Sequence, residues 1–253
     1  MPSYFAKQSA LLKTEETSEL MMNSNVNLSA PIGVLVLLGA GFLFFVAALV
    51  LLQSLVVRRR GRARVVVLAM LVIACGYLAA ILIFSLASHE KVLAQGTEKY
   101  FCEIDCHLAY SVANTRQSKT LGNPPNQTAQ GIYTVVTIKT RFDETTISPR
   151  RGDGLLYPNS RVLTLVDQNG NRYSPGSQAG TPLTTPLRPG EFYTTEVVFD
   201  LPVNAKRATL LINEGDWITR LVIGHENSPL HKKTRFQIDL PATPVARSAT
   251  QRG

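Results

Sequence analysis

Three consecutive stretches decide the architecture: IGVLVLLGAGFLFFVAALVLLQSLVV (Ile32 to Val57), RRRGRAR (Arg58 to Arg64) and VVVLAMLVIACGYLAAILIFSLAS (Val65 to Ser88). The first run holds 26 residues without a charge, and its only strongly polar side chains are Gln53 and Ser54. About 20 residues suffice for a helix to cross a hydrocarbon core about 30 Å thick, so both apolar runs are long enough. A spanning segment must be helical, because lipid supplies no partner for open backbone N–H and C=O groups. A cleavable signal peptide has an apolar core of only about 7–15 residues behind a basic flank. This run is longer, and its flank is weakly acidic, with Lys7 and Lys13 against Glu15, Glu16 and Glu19. A soluble helical hairpin is rarely apolar on every face. The predicted anchor is therefore a two-helix transmembrane hairpin with spans 32–57 and 65–88.

Between the spans stand Arg58, Arg59, Arg60, Arg62 and Arg64. An arginine-rich loop of this length follows the positive-inside rule better than it fits a nucleic-acid patch. Those arginines act as topology determinants: loop 58–64 is expected in the cytoplasm, with both termini outside the inner membrane of a bacterium. Much of the net charge of +8 is then a topology signal. From His89 onward 19 Lys and Arg are interspersed with 15 Asp and Glu, an ordinary solvated surface that gives no reason to expect nucleic acid.

Beyond the spans the pattern changes to short alternating segments separated by turns, the signature of an all-β sandwich or barrel. Strands are expected at Cys102 to Val112, Ile132 to Phe142, Arg161 to Val166, Tyr193 to Phe199, Ala208 to Ile212, Trp217 to Ile223 and Thr234 to Leu240. In the first of these Cys102, Ile104, Cys106, Leu108, Tyr110 and Val112 share one face, and Glu103, Asp105, His107 and Ser111 the other. Asn169-Gly170 supplies the positive φ angles of a tight hairpin. Asp167, Asn169 and Asn171 do not open a calcium loop, since Arg172 and Gln178 stand where that loop needs Gly and Glu. Ser118 to Gln130 reads as a surface loop, and Trp217 as a core residue.

Leu165 to Tyr173 (LVDQNGNRY) and Leu187 to Pro202 (LRPGEFYTTEVVFDLP) resemble a family of bacterial extracytoplasmic domains of unknown function, tethered by a lipid or a membrane helix. The resemblance implies an immunoglobulin-like β-sandwich over about residues 98–240 and assigns no activity. The chain then divides into a disordered extracytoplasmic segment 1–30, the hairpin 31–88, the sandwich 98–240 and a disordered tail 241–253.

Chemistry has few places to sit. Cys75 lies inside the second span and reads as a small packing residue. There Gly76 and Ala80 form a small-xxx-small pair that would let the two helices pack closely. Cys102 and Cys106 would lie roughly 13 Å apart in a strand, too far for a disulfide, whereas a bend would bring them within reach. Four readings stay open: a local disulfide, buried thiols, a soft metal or redox site with Cys102, Cys106 and His107, or a bond between two chains. His225 beside Glu226 suggests an acid–base pair, but neighbouring strand residues point to opposite faces. No nucleophile elbow, phosphate loop or zinc-protease motif is present. Neither span carries an ionisable acid or base that would suggest a proton path or transporter. The expected function is a non-catalytic binding or structural module without cofactor, integral to the membrane and facing a protein or envelope partner. The alternative is thiol-redox or metal-handling chemistry at Cys102 and Cys106.

Overall fold

A computed structural model describes residues 29–101, 107–122, 126–144 and 153–240, without the side chains of 29–31. Two long apolar helices are followed by a two-sheet β-sandwich. Helix α1 covers Ser29–Val56 and α2 covers Arg60–Leu86. The connection is only three residues, with Arg58 at φ 54°, so Arg60, Arg62 and Arg64 stand on the first turns of α2. Arginine and alanine are good helix formers, and the helix extends back into the basic segment. Ser54, the polar intrusion in α1, donates to the carbonyl of Val50 at 2.7 Å and stays satisfied within its own helix. Leucine, valine, isoleucine and phenylalanine side chains along both helices are exposed.

The strands are β1 (Lys91–Leu93), β2 (Lys99–Phe101), β3 (Leu108–Leu121), β4 (Gln127–Phe142), β5 (Arg161–Asp167), β6 (Arg172–Tyr173), β7 (Ser177–Gly180), β8 (Phe192–Leu201), β9 (Ala208–Glu214) and β10 (Thr234–Ile238). One sheet runs β2-β3-β4-β8-β7 and the other β1-β10-β9-β5-β6. All pairings are antiparallel except β1 with β10. Alternation puts Phe101, Tyr110, Phe142 and Phe199 of the first sheet against Leu165, Leu210, Ile212 and Phe236 of the second. Phe101 and Tyr110 meet edge to face at 5.2 Å. A hairpin forms at Asn169-Gly170, but of that pair only Gly170 takes a positive φ, 84°. Its turn is filled by the Asp167 carboxylate, which accepts from the N–H groups of Asn169 and Asn171 and from Tyr173 Oη.

Three expectations need correction. Much of the Ser118 to Gln130 stretch is strand, because β3 runs to Leu121, β4 begins at Gln127 and the two pair antiparallel. Of the half-solvated strand expected from Cys102 to Val112, residues 102–106 lie outside the described residues; β3 starts at Leu108, which pairs antiparallel with Phe101, and both its faces are buried there, Ala109 and Ser111 as well as Tyr110 and Val112. Trp217 to Ile223 is no strand. It contains the 3-10 turn Ile218–Leu221, and Trp217 is 66% exposed rather than in the core.

Candidate functional site

The densest chemistry lies at one end of the sandwich, where β9 ends and residues 215–233 cap the core before β10 begins. Lys99 on β2 points inward between the sheets and is fully buried. A buried ammonium must have each of its three donors satisfied. Its Nζ donates to Glu226 Oε1 at 2.9 Å, to the Ile212 carbonyl at 2.9 Å and to the Thr234 carbonyl at 3.3 Å. Burial pushes the Lys99 amine down, and the Glu226 carboxylate opposes that shift.

Arg161 opens β5 opposite Glu214, the last residue of β9. Its guanidinium lies over the Phe101 ring at 4.2 Å, donates to Tyr110 Oη at 3.3 Å and stands 3.7 Å from Glu214 Oε1. The other Glu214 oxygen is 3.0 Å from His225 Nε2. His225 Nδ1 accepts from the N–H of Asn227 at 3.0 Å, which assigns a ring proton to Nε2, the nitrogen that faces Glu214. Asn227 Nδ2 closes the arrangement by donating to the Glu214 carbonyl and to Thr219 Oγ1. His225 and Glu226 are thus adjacent yet both engage inward partners. In a turn the strand rule of opposite faces does not apply.

The cap also touches the helices. Tyr77 Oη donates to the Leu221 carbonyl at 2.6 Å, and the N–H of Lys232 donates to Ser88 Oγ at 2.8 Å. Between these contacts lie Ile81 and Ser85, buried at four-residue spacing on the same row of α2. Gly33 of α1 lies so close that a Cβ there would stand 2.5 Å from the Ile223 carbonyl. Lys99, Arg161, Glu214, His225 and Glu226 therefore form an ionic strut that fixes the segment joining sandwich to helices. Beside it is a cleft of about 460 Å³ lined by residues of mixed charge, among them Glu214, Asp216, Arg220 and Lys233.

A second cluster lies on the outer face of the β2-β3-β4 sheet. Arg141 grips Glu98 in a bidentate pair at 2.8 and 2.6 Å and reaches Asp143 at 2.8 Å, while Tyr100 Oη donates to Asp143 at 2.7 Å. Burial raises the Tyr100 phenol, and the two carboxylates raise it further. Burial works against the Glu98 charge, but Arg141 and Tyr100 outweigh it and hold that carboxyl low.

Of the residues singled out from sequence, Cys102 and Cys106 lie outside the described residues. His107 is buried rather than on a solvated face. Its Nδ1 donates to the Asp143 carbonyl at 2.6 Å, and its ring packs against Phe142 at 5.4 Å. Gly76 has no atom near enough for a Cβ to touch, so it is no point of close helix approach. Among the described residues no group of three His, Cys, Asp or Glu side chains is placed to hold a metal ion.

Acid should loosen this end of the molecule. Burial raises the Glu214 carboxyl, but His225, Arg161 and Lys99 outweigh it and leave its pKa lowered, in the same direction as Glu98. A carboxylate whose folded pKa lies below its unfolded one binds fewer protons when folded. Its contribution is complete above the unfolded value and fades as pH falls through the folded one. Thermal melts should therefore be flat near neutrality and decline below about pH 4. A melting temperature unchanged down to about pH 2 would remove both carboxylates from the set of stabilising charges.

No protein-family model matches the chain, and no curated protein matches it. A solved structure of a secreted protein from Mycobacterium tuberculosis, MPT63, is similar at 14% identity and covers 60% of this chain and 100% of that one, with a TM-score of 0.36.

Proposed function

We propose that the chain is a membrane-anchored, extracytoplasmic binding or structural module of a bacterial envelope, working without catalysis. The observation that carries this reading is the contrast between its two parts. The helices keep long apolar side chains such as Leu35, Phe45, Leu68 and Ile83 exposed along their length, which water would not tolerate and lipid would. The sandwich buries an apolar core between its two sheets and pairs its buried charges with one another. On this reading α1 and α2 span the inner membrane. The arginines from Arg58 to Arg64 hold their connection in the cytoplasm, and the sandwich stands on the opposite side.

The partner-facing surface is best sought at the free edge formed by β6 and β7, where the chain crosses from one sheet to the other. Every residue of β7 is exposed, and an unpaired edge strand is a template for pairing with another chain. Cys102 and Cys106 remain candidates for a disulfide. Alkaline phosphatase, which is active only outside the cytoplasm, tests the orientation directly. A fusion after Gly253 should be active and one at Gly61 inactive. Activity at Gly61 with none after Gly253 would overturn the arrangement.

A further inference from the structure

The cap that joins the sandwich to the helices carries an unusual exterior. Trp217, Ile218, Leu221 and Leu230 are 66%, 46%, 40% and 66% exposed. Leu230 also adopts φ 64°, a left-handed conformation that leucine rarely takes, while presenting its side chain to the outside. Arg220 and Lys232 stand exposed beside these apolar groups. Two observations say what covers the patch.

The first is its level. Gly33 is four residues inside the N-terminus of α1, and Tyr77 is nine residues inside the C-terminus of α2. At 1.5 Å per residue these positions lie about 6 and 13 Å from the outer helix ends. Both reach the 221–223 segment, through the Ile223 carbonyl and the Leu221 carbonyl respectively. The cap therefore lies alongside the last turns of the helices rather than above them. The second is the chemistry of the patch: a tryptophan and three long aliphatic side chains stand exposed with Arg220 and Lys232 beside them. Its composition also fits a membrane interface, where tryptophan lodges at headgroup level and arginine and lysine extend charged ends toward water.

We infer that Trp217, Ile218, Leu221 and Leu230 insert into the outer leaflet of the bilayer that holds the helices, making the cap a second, monotopic attachment. This rests on the spanning reading of α1 and α2. Insertion to about 5–10 Å would bury the apolar side chains at the headgroup–acyl boundary. Together with the ionic strut it would fix how the sandwich leans on the membrane instead of leaving it on a swivel.

Trp217 is the chain's one tryptophan, so the unaltered protein reports on itself. The full chain is reconstituted into phosphatidylcholine–phosphatidylglycerol vesicles, with and without bromine on the upper acyl carbons. Bromolipid should lower Trp217 emission roughly twofold, and acrylamide in the water should quench it weakly, as for a group at the headgroup–acyl boundary. Free quenching by acrylamide with no effect of bromolipid, in vesicles from which alkali does not extract the protein, would overturn the insertion and leave the spanning helices standing. Protection from both quenchers would mean that protein, such as a second copy, covers the patch, and would also overturn it. Extraction of the chain by alkali would overturn the spanning reading and this inference with it.

Discussion

Glu226→Gln should be among the most damaging single substitutions in the sandwich, costing about 3–5 kcal/mol, because it removes one partner of a fully buried ion pair and leaves the other. Lys99 would keep its two carbonyl acceptors, Ile212 and Thr234, but lose the carboxylate that its ammonium bonds directly. At about 2–4 °C per kcal/mol for a domain of this size, thermal melts should shift down by roughly 10 °C. The penalty should also shrink as pH rises. With Glu226 gone, the burial that already lowers the Lys99 amine loses its largest opposition. The folded variant then binds fewer protons than the unfolded chain, so its stability climbs with pH through the alkaline range. Pairing Glu226→Leu with Lys99→Met should recover most of the loss, since a buried pair replaced by apolar groups of similar volume is often neutral or better. If the single and double variants melt alike, Lys99 and Glu226 are not coupled and the strut is only a list of distances.

The same contrast shows which features could be read in the sequence. Hydropathy alone located both helices, because a run such as Ile32 to Val57 needs no tertiary context to be recognised. Period-2 alternation located β5, β8, β9 and β10 to within a few residues, and Asn169-Gly170 marked its hairpin, because both are local signals. The strut was invisible for the opposite reason. Lys99 sits 113 residues from Ile212 and 127 from Glu226 in the chain. A lysine in a two-sided strand reads as solvated until the partner that neutralises it is known. His225 and Glu226 were noticed as neighbours but judged by a strand rule, while the turn that holds them turns both inward.

Trp217 failed in a more instructive way. Its segment has the apolar content of a strand, and a lone tryptophan is commonly core. On the proposed insertion, what decides its place is the lipid around the two helices. Apolar side chains on the 3-10 turn can stay outside the sandwich if lipid rather than water is what they meet. The rule that apolar residues go inside assumes one solvent, and a domain resting against a bilayer, as proposed for this one, would have two.

Gly131→Ala should be the other large effect, about 3 kcal/mol, at the upper end of what overpacking costs. Sequence alone places Gly131 at the end of a presumed loop, where an extra methyl would matter little. It lies instead within β4, one residue before the terminal pairing of Ile132 with Leu201 of β8. A Cβ there would stand 1.9 Å from the Leu201 carbonyl oxygen and 2.7 Å from its carbon, a collision with backbone that no rotamer relieves. Retreat is blocked on both sides. The Asp200 carboxylate accepts from the N–H groups of Gln130 and Gly131 at 2.8 and 2.9 Å, and Lys119 Nζ donates to the Gly131 carbonyl at 2.7 Å. The glycine is needed for space, in contrast to Gly170, which has open surroundings but φ 84°. Gly170→Ala should accordingly cost only about 1–2 kcal/mol, the penalty of a left-handed backbone. Urea titrations of the two variants should keep that order. Equal midpoints for Gly131→Ala and the parent chain would mean that β4 and β8 do not approach so closely at this end, and that the end of their ladder lies elsewhere.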